Sequence, residues 1–556
     1  MKSMTFVLLL LLALTFPHSV TFAQNDTAHI TPAMLEAAEG IMGLEFTPEE
    51  RDSVLQELEL ILSLYPGLRE VIIDNSVAPA LVFNPTPPGM VFDTIQRPII
   101  WGPPPEVRMP ENFNDLAFYS VCELSELIRT RKVSSMQLTR LALERLKKYD
   151  PQLHCVISLT EDLALEQARR ADREIAAGTY RGLLHGIPYG AKDLLAASGY
   201  KTTWGAMPYK DQTIDRDATV IKKLEEAGAV LVAKLSLGAL AWGDVWYEDT
   251  TRNPWDLTQG SSGSSAGSAS AVSAGLVPFA IGSETWGSIV SPSTRCGTTG
   301  LRPTFGRVSR SGAMALSWSM DKLGPICRTV EDCALVFNAI RGSDREDLSV
   351  VDLPFNYDAG IDIKSLRIGY LKNDFANDSA FMQHNNAALD KLREMGIELV
   401  EVELPQLPIE SMSIILSAEA GAAFDELTRS NRDDLMVRQV KDAWPNVFRS
   451  ARFIPAVEYI QANRLRSMAI AEMAKIMADI DVYVAPSFEG NNLLLTNLTG
   501  HPCVVLPDGF DEEGHPVSIT FVGRLYDEAT LVAVARAYQE ATDWHRQHPS
   551  LFLPEE

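Results

Sequence analysis

Apolar residues recur at helical spacing at Val54, Leu55, Leu58, Ile61 and Leu62. In front of them Thr47-Pro48-Glu49-Glu50 places a capping threonine, a proline at the first helical position and a glutamate three residues on, a capping box. The pattern predicts a helix from Thr47 that stops at Pro66-Gly67. From Pro79 to Pro110 nine prolines in 32 residues interrupt any periodicity, so this stretch is extended or irregular: a strap between an N-terminal helical part and the main domain. Beyond Asn112 helices and short apolar strands alternate. Ser134 or Ser135 caps a helix carrying Leu138, Leu141, Ala142 and Leu146 that ends before Pro151, and Val156 to Leu159 reads as a strand. Asp217 then caps the helix ATVIKKLEEAGA, which leads into the strand AVLVA ending at Ala233. Such alternation predicts an α/β fold with a large mixed, mostly parallel central sheet covered by helices on both faces. No internal repeat of fixed period is present, which disfavours a solenoid or propeller.

The extreme N-terminus has a different pattern. Lys2, an apolar run from Phe6 to Phe16 and a polar stretch ending at Ala23 match a cleavable secretory signal, and the run is too short to span a bilayer. The organisation expected is therefore a signal peptide over 1–23, a helical extension and strap over 24–110, a catalytic domain over 111–550 and a short tail over 551–556. The product would be exported, secreted or periplasmic, with no membrane span after processing.

Composition narrows the classes. The 556 residues are 46% hydrophobic and 22% charged, which is ordinary globular usage. Subtracting 73 acidic from 49 basic residues leaves a formal charge of −24, a sign that repels phosphate backbones, so no nucleic-acid partner is expected. Six cysteines lie scattered without zinc spacing; no metal or other cofactor is implied, and in an oxidising compartment some could pair.

Chemistry concentrates between Gly260 and Ser293, where GSSGSSAGSASAVSAGLVPFAIGSETWGSIVSPS surrounds an apolar strand candidate, Val277 to Ile281. A flexible Gly/Ser linker would not carry that buried run. Gly263-Ser264-Ser265-Ala266-Gly267 fits the nucleophile elbow of an α/β-hydrolase with Ser265 as nucleophile, but NPWDLTQ ahead of it is not a buried strand.

Four ordered motifs, GIPYGAKD (Gly186 to Asp193), DATVIKKLEEAGAVLVAK (Asp217 to Lys234), the Ser/Gly stretch and GTTGLRPTFGRVS (Gly297 to Ser309), make the chain from about Leu124 to His548 resemble the amidase signature family. The resemblance implies a serine, serine, lysine triad: Lys192 as base, Ser264 as bridging serine after a cis peptide bond, and Ser288 as nucleophile. Backbone N–H groups of Thr285, Trp286, Gly287 and Ser288 would form the oxyanion hole. Chemistry agrees, because a serine hydroxyl needs a base within reach and a lysine can be that base only when neutral, which at pH 7 costs roughly 4 kcal/mol. Trp286, Glu284, Val290, Ser262 and Ala266 depart from the family pattern, so Trp286 either strains the backbone or walls the acyl pocket. Lys234 is a rival base, and Asp193 beside Lys192 could orient the loop. Trp204, Trp242, Trp246 and Trp286 are candidates for an apolar acyl site or for core packing. The substrate expected is a small linear carboxamide, carbamate or ester, with the pocket shaped in part by Ile414 to Tyr459. Two alternatives are a weakened ligand-binding protein of the same fold and the glutaminase-type subunit that feeds ammonia to transfer-RNA-bound glutamate.

Overall fold

The computed structural model describes residues 30–104 and 106–553, so the expected signal segment lies outside the described residues. Two compact units divide at residues 72 and 73. In the smaller, helices Pro32–Met42 and Pro48–Glu70 form, the second on the capping box foreseen at Thr47. Arg51 on the second helix forks onto the Glu39 carboxylate of the first at 2.9 Å through both Nε and Nη2. The second helix runs through Pro66 to Glu70 instead of stopping there. Likewise the helix capped by Ser134 spans Ser135–Leu153 and passes Pro151. A proline deprives only the carbonyl four residues earlier of its donor, and near a solvent-exposed helix end water replaces it.

The larger unit begins at Ile73 and includes the proline-rich strap. Its strands are β1 (Val156–Leu159), β2 (Pro188–Lys192), β3 (Val230–Leu235), β4 (Arg252–Asn253), β5 (Asp256–Gly260), β6 (Phe279–Glu284), β7 (Thr299–Arg302), β8 (Lys322–Cys327), β9 (Ile368–Leu371), β10 (Leu399–Val402), β11 (Val482–Pro486), β12 (Cys503–Phe510) and β13 (Pro516–Gly523). Eleven form one sheet in the order β1-β3-β2-β6-β8-β7-β12-β13-β11-β9-β10, while β4 and β5 make a separate hairpin. The sheet is mixed as expected, yet parallel pairing is confined to β3-β2-β6 and β11-β9-β10, and the six other neighbouring pairs are antiparallel. The expectation of a mostly parallel sheet is therefore corrected. Helix and strand alternation forces parallel pairing only where a helix separates neighbouring strands; short links such as that between β12 and β13 turn the chain back.

Alternate residues of single strands enter different cores. Leu231, Phe279 and Ile281 belong to one cluster, whereas Val230, Val232 and Ala280 belong to another. Farther along, Val504 and Leu506 join the first cluster while Cys503 and Val505 join a third. The period of two thus buries both faces under helices. Asp217 does not cap the following helix, which is Thr219–Glu226; its carboxylate accepts the Ser198 N–H at 2.8 Å. All six cysteines are unpaired, five of them buried. Among the described residues no helix is long and apolar enough to cross a membrane.

Candidate active site

Strands β2 and β6 lie side by side and parallel, with Tyr189 beside Phe279 and Ala191 beside Ile281, so their C-terminal ends open at the same place. Open α/β sheets place their sites at such ends. Lys192, the last residue of β2, is fully buried there. Its Nζ reaches Ser264 Oγ at 2.8 Å, Ser283 Oγ at 2.8 Å and Ser265 Oγ at 3.0 Å. Burial holds the amine well below the ordinary lysine range, and the fields of Asp321 and Glu284, which favour the charged form, do not offset that.

Lys234, the rival base, is equally buried one strand away but sits in an ion pair with Asp193 at 2.7 Å. The second Asp193 oxygen accepts the N–H and hydroxyl of Thr203 at 2.7 and 2.6 Å. Lys234 and Asp193 are thus a satisfied structural pair, and Lys192 is left among hydroxyls.

The Ser/Gly stretch folds as a turn from β5 into the fully buried helix Ala266–Ser273. The peptide bond Gly263–Ser264 is cis. A Cβ on Gly263 would lie 1.8 Å from the Gly243 carbonyl oxygen, so only glycine fits. Ser262 adopts φ 58°, left-handed backbone carried by a serine, and its N–H donates to Asp244 at 2.9 Å. Ser265 follows a half-exposed hairpin, not a central strand, and its hydroxyl donates to the Ser283 carbonyl at 3.0 Å while accepting the Ser283 N–H at 3.1 Å. That placement removes the nucleophile-elbow geometry.

Ser288 stands in the turn after β6 and is almost fully buried. Its carbonyl accepts the Ser265 N–H at 3.2 Å, which ties the turn to the bridging segment, although Ser264 and Ser288 form no hydroxyl to hydroxyl hydrogen bond. The N–H groups of Thr285, Trp286, Gly287 and Ser288 find no acceptor among the described residues. Positive φ in this turn falls on Gly287, at 83°, and not on Trp286, so the tryptophan does not need left-handed backbone; its indole is 44% exposed in a neighbourhood otherwise buried.

Several supporting groups were not foreseen. Glu284 carries both sides of the turn: one carboxylate oxygen accepts from Arg302 at 2.6 Å and Asn497 at 2.9 Å, the other from the N–H groups of Ile289 and Val290 at 2.8 and 3.0 Å. Burial alone would raise its pKa, but Arg302 and the Val290 N–H prevail and hold it at about 2. Asp321 accepts the Thr285 hydroxyl at 2.6 Å and the N–H groups of Leu316 and Ser317. Ser283, the third hydroxyl on Lys192, had one signal, a serine that follows the apolar run FAIG ahead of the turn. Of the tryptophans, Trp242 and Trp444 meet edge to face at 4.8 Å and Trp204 packs on Tyr209 and Phe424, so these indoles serve aromatic packing that includes the Ile414 to Tyr459 stretch.

A family model for the amidases matches residues 137–496, spanning every one of these groups but Asn497. The chain belongs to the amidase family. Among curated relatives, the A-subunit of glutamyl-tRNA(Gln) amidotransferase from Roseiflexus castenholzii is 35% identical over 483 residues, covering 78% of this chain and 97% of the relative. Its counterpart from Acinetobacter baumannii is 34% identical, covering 79% of this chain and 99% of the relative. Among solved structures, the peptide amidase of Stenotrophomonas maltophilia superposes with a TM-score of 0.69 at 30% identity, over 77% of this chain and 98% of that one. Membership in the family, together with these relatives, makes the protein an amidohydrolase of carbon–nitrogen bonds.

Proposed function

We propose that the protein is an exported amidase that cleaves a linear carboxamide, or a related carbamate or ester, through an acyl-enzyme on Ser288. The observation that carries this is Lys192: a fully buried amine, pushed by burial well below the ordinary lysine range, whose partners within 3.0 Å are hydroxyls. In the neutral form that the relay requires, the amine has two N–H donors and one lone pair, and one of the three hydroxyls then donates to it. The Ser265 proton is already committed to a carbonyl, which leaves Ser264 or Ser283 as donor. In the relay Ser264 gives its proton to Lys192 and takes one from Ser288 as Ser288 Oγ attacks the carbonyl carbon. Uncommitted N–H groups among residues 285–288 would receive the oxyanion, and losing one such donor costs about 3 kcal/mol of transition-state stabilisation. The relay then runs backward to protonate the leaving amine, and water releases the acid.

Mass mapping after treatment with a fluorophosphonate should find the adduct on Ser288; an adduct on Ser265, or none, overturns the assignment. Lys192→Ala should depress amide hydrolysis more than ester hydrolysis, since only the amide needs its leaving group protonated. Export rests on the Lys2 to Ala23 pattern. An N-terminus beginning at Gln24 in a periplasmic or extracellular fraction supports it, and an intact Met1 in the cytosol refutes it. Likeness to the amidotransferase relatives supports a second reading, a component of an enzyme that works on glutamyl-tRNA(Gln); release of ammonia from glutamine, with no turnover of simple amides, would select it.

A further inference from the structure

A cavity of about 530 Å³ opens beside the lysine cluster, with Ser283, Thr285 and Asp321 at its inner end. Leu194, Ala241, Met314, Leu316 and Leu323 give it an apolar sleeve, and Arg216, Glu346 and the exposed Leu348 mark its outer end. One wall comes from the strap: Ser76 and Ala78 to Phe83 line the space. This segment lies ahead of residue 137, where the family match begins.

The strap is pinned at both ends of the wall. Asn75 pairs with Ala315 like a short ladder, donating to its carbonyl at 2.9 Å and accepting its N–H at 2.7 Å. At the other end the Phe83 ring meets Phe305 edge-on at 5.0 Å, and the Arg466 guanidinium lies 3.4 Å from its centre. Between the pins the chain is Ser76-Val77-Ala78-Pro79-Ala80-Leu81-Val82. Small side chains at 78 and 80 leave the space open, and Pro79 restricts the backbone. Neither pin uses a residue of the hydroxyl network.

We infer that residues 76–83 form the outer wall of the acyl pocket and set the length of the acyl chain admitted, favouring a medium-length aliphatic acyl group. This rests on the amidase reading above. The volume admits such a group, and an apolar sleeve whose outer end mixes Arg216 and Glu346 with Leu348 suits a chain that enters from water.

The test compares octanoyl and acetyl p-nitroanilide on the full chain. Ala80→Trp should lower the octanoyl to acetyl ratio of kcat/KM at least tenfold, and Asn75→Ala, which releases one pin, should change the ratio at least threefold. Val77→Ala, on the same strap but outside the cavity lining, should leave the ratio unchanged. A ratio unaltered in Ala80→Trp, with an unchanged thermal melt, overturns the inference, and so does an equal loss on both substrates. Calorimetric binding of octanamide separates the two readings. If wild type shows no Ser288 adduct but Ala80→Trp still weakens octanamide binding at least tenfold, the catalytic assignment falls and the wall stands; if binding is unaltered, the wall falls.

Discussion

Burial of Lys192 costs the fold stability, and the proposed relay depends on that burial. The unfolded chain binds a proton there up to the ordinary lysine range near 10.5, whereas the folded chain gives it up well below. Stability therefore rises with pH between those two limits, because the unfolded state holds the extra proton. Lys192→Met should remove that dependence, so denaturation across pH 6 to 9 should show the variant's advantage over wild type shrinking as pH rises. Glu284 has the opposite sign. With its folded value at about 2 against the usual 4.5, its contribution is complete above 4.5 and disappears as pH falls through 2. Glu284→Gln strands the buried Arg302 and should cost about 3 to 5 kcal/mol at pH 7, a gap that narrows in acid. Ser262 is a simpler case: its left-handed backbone on an L side chain costs about 1 kcal/mol, so Ser262→Gly should raise the midpoint of chemical denaturation.

Among the elements, legibility followed local chemistry. The capping box at Thr47, a serine cap at 134 or 135 and the strand Val156–Leu159 were readable because each depends on residues within one turn or one short run. The contact between Lys192 and Ser264 was readable only through ordered motifs, since 72 residues separate the partners. Glu284, Arg302, Asn497 and Asp321 were not, because a carboxylate that holds a turn from inside looks in sequence like any strand-end charge. Sheet direction failed for a related reason: alternation predicts helices and strands, but the antiparallel centre depends on how β6, β8 and β7 are ordered in space. Gly263 joins the two levels. Gly263→Ala would drive a methyl into the Gly243 carbonyl and should abolish soluble expression or lower the melting temperature by several degrees.

For the whole molecule, a formal charge of −24 accompanies a site in which the proposed relay requires a neutral amine. The field opposes neutrality, and burial outweighs it because solvent is excluded from Nζ. The same charge predicts that the isolated chain will not retain transfer RNA on a filter at physiological salt. Six unpaired thiols, five of them buried, give another expectation: a thiol reagent should label at most Cys122 in the native protein and all six in denaturant.

The wall supplied by the strap separates two inheritances. The hydroxyls on Lys192 are buried and hydrogen-bonded to it, while residues 76–83 share only the cavity with Ser283 and make no hydrogen bond to the network among the described residues. Selection can therefore rewrite the strap, lengthening it or trading alanine for bulk, and move the enzyme to new substrates without reopening the problem of how to make an amide break.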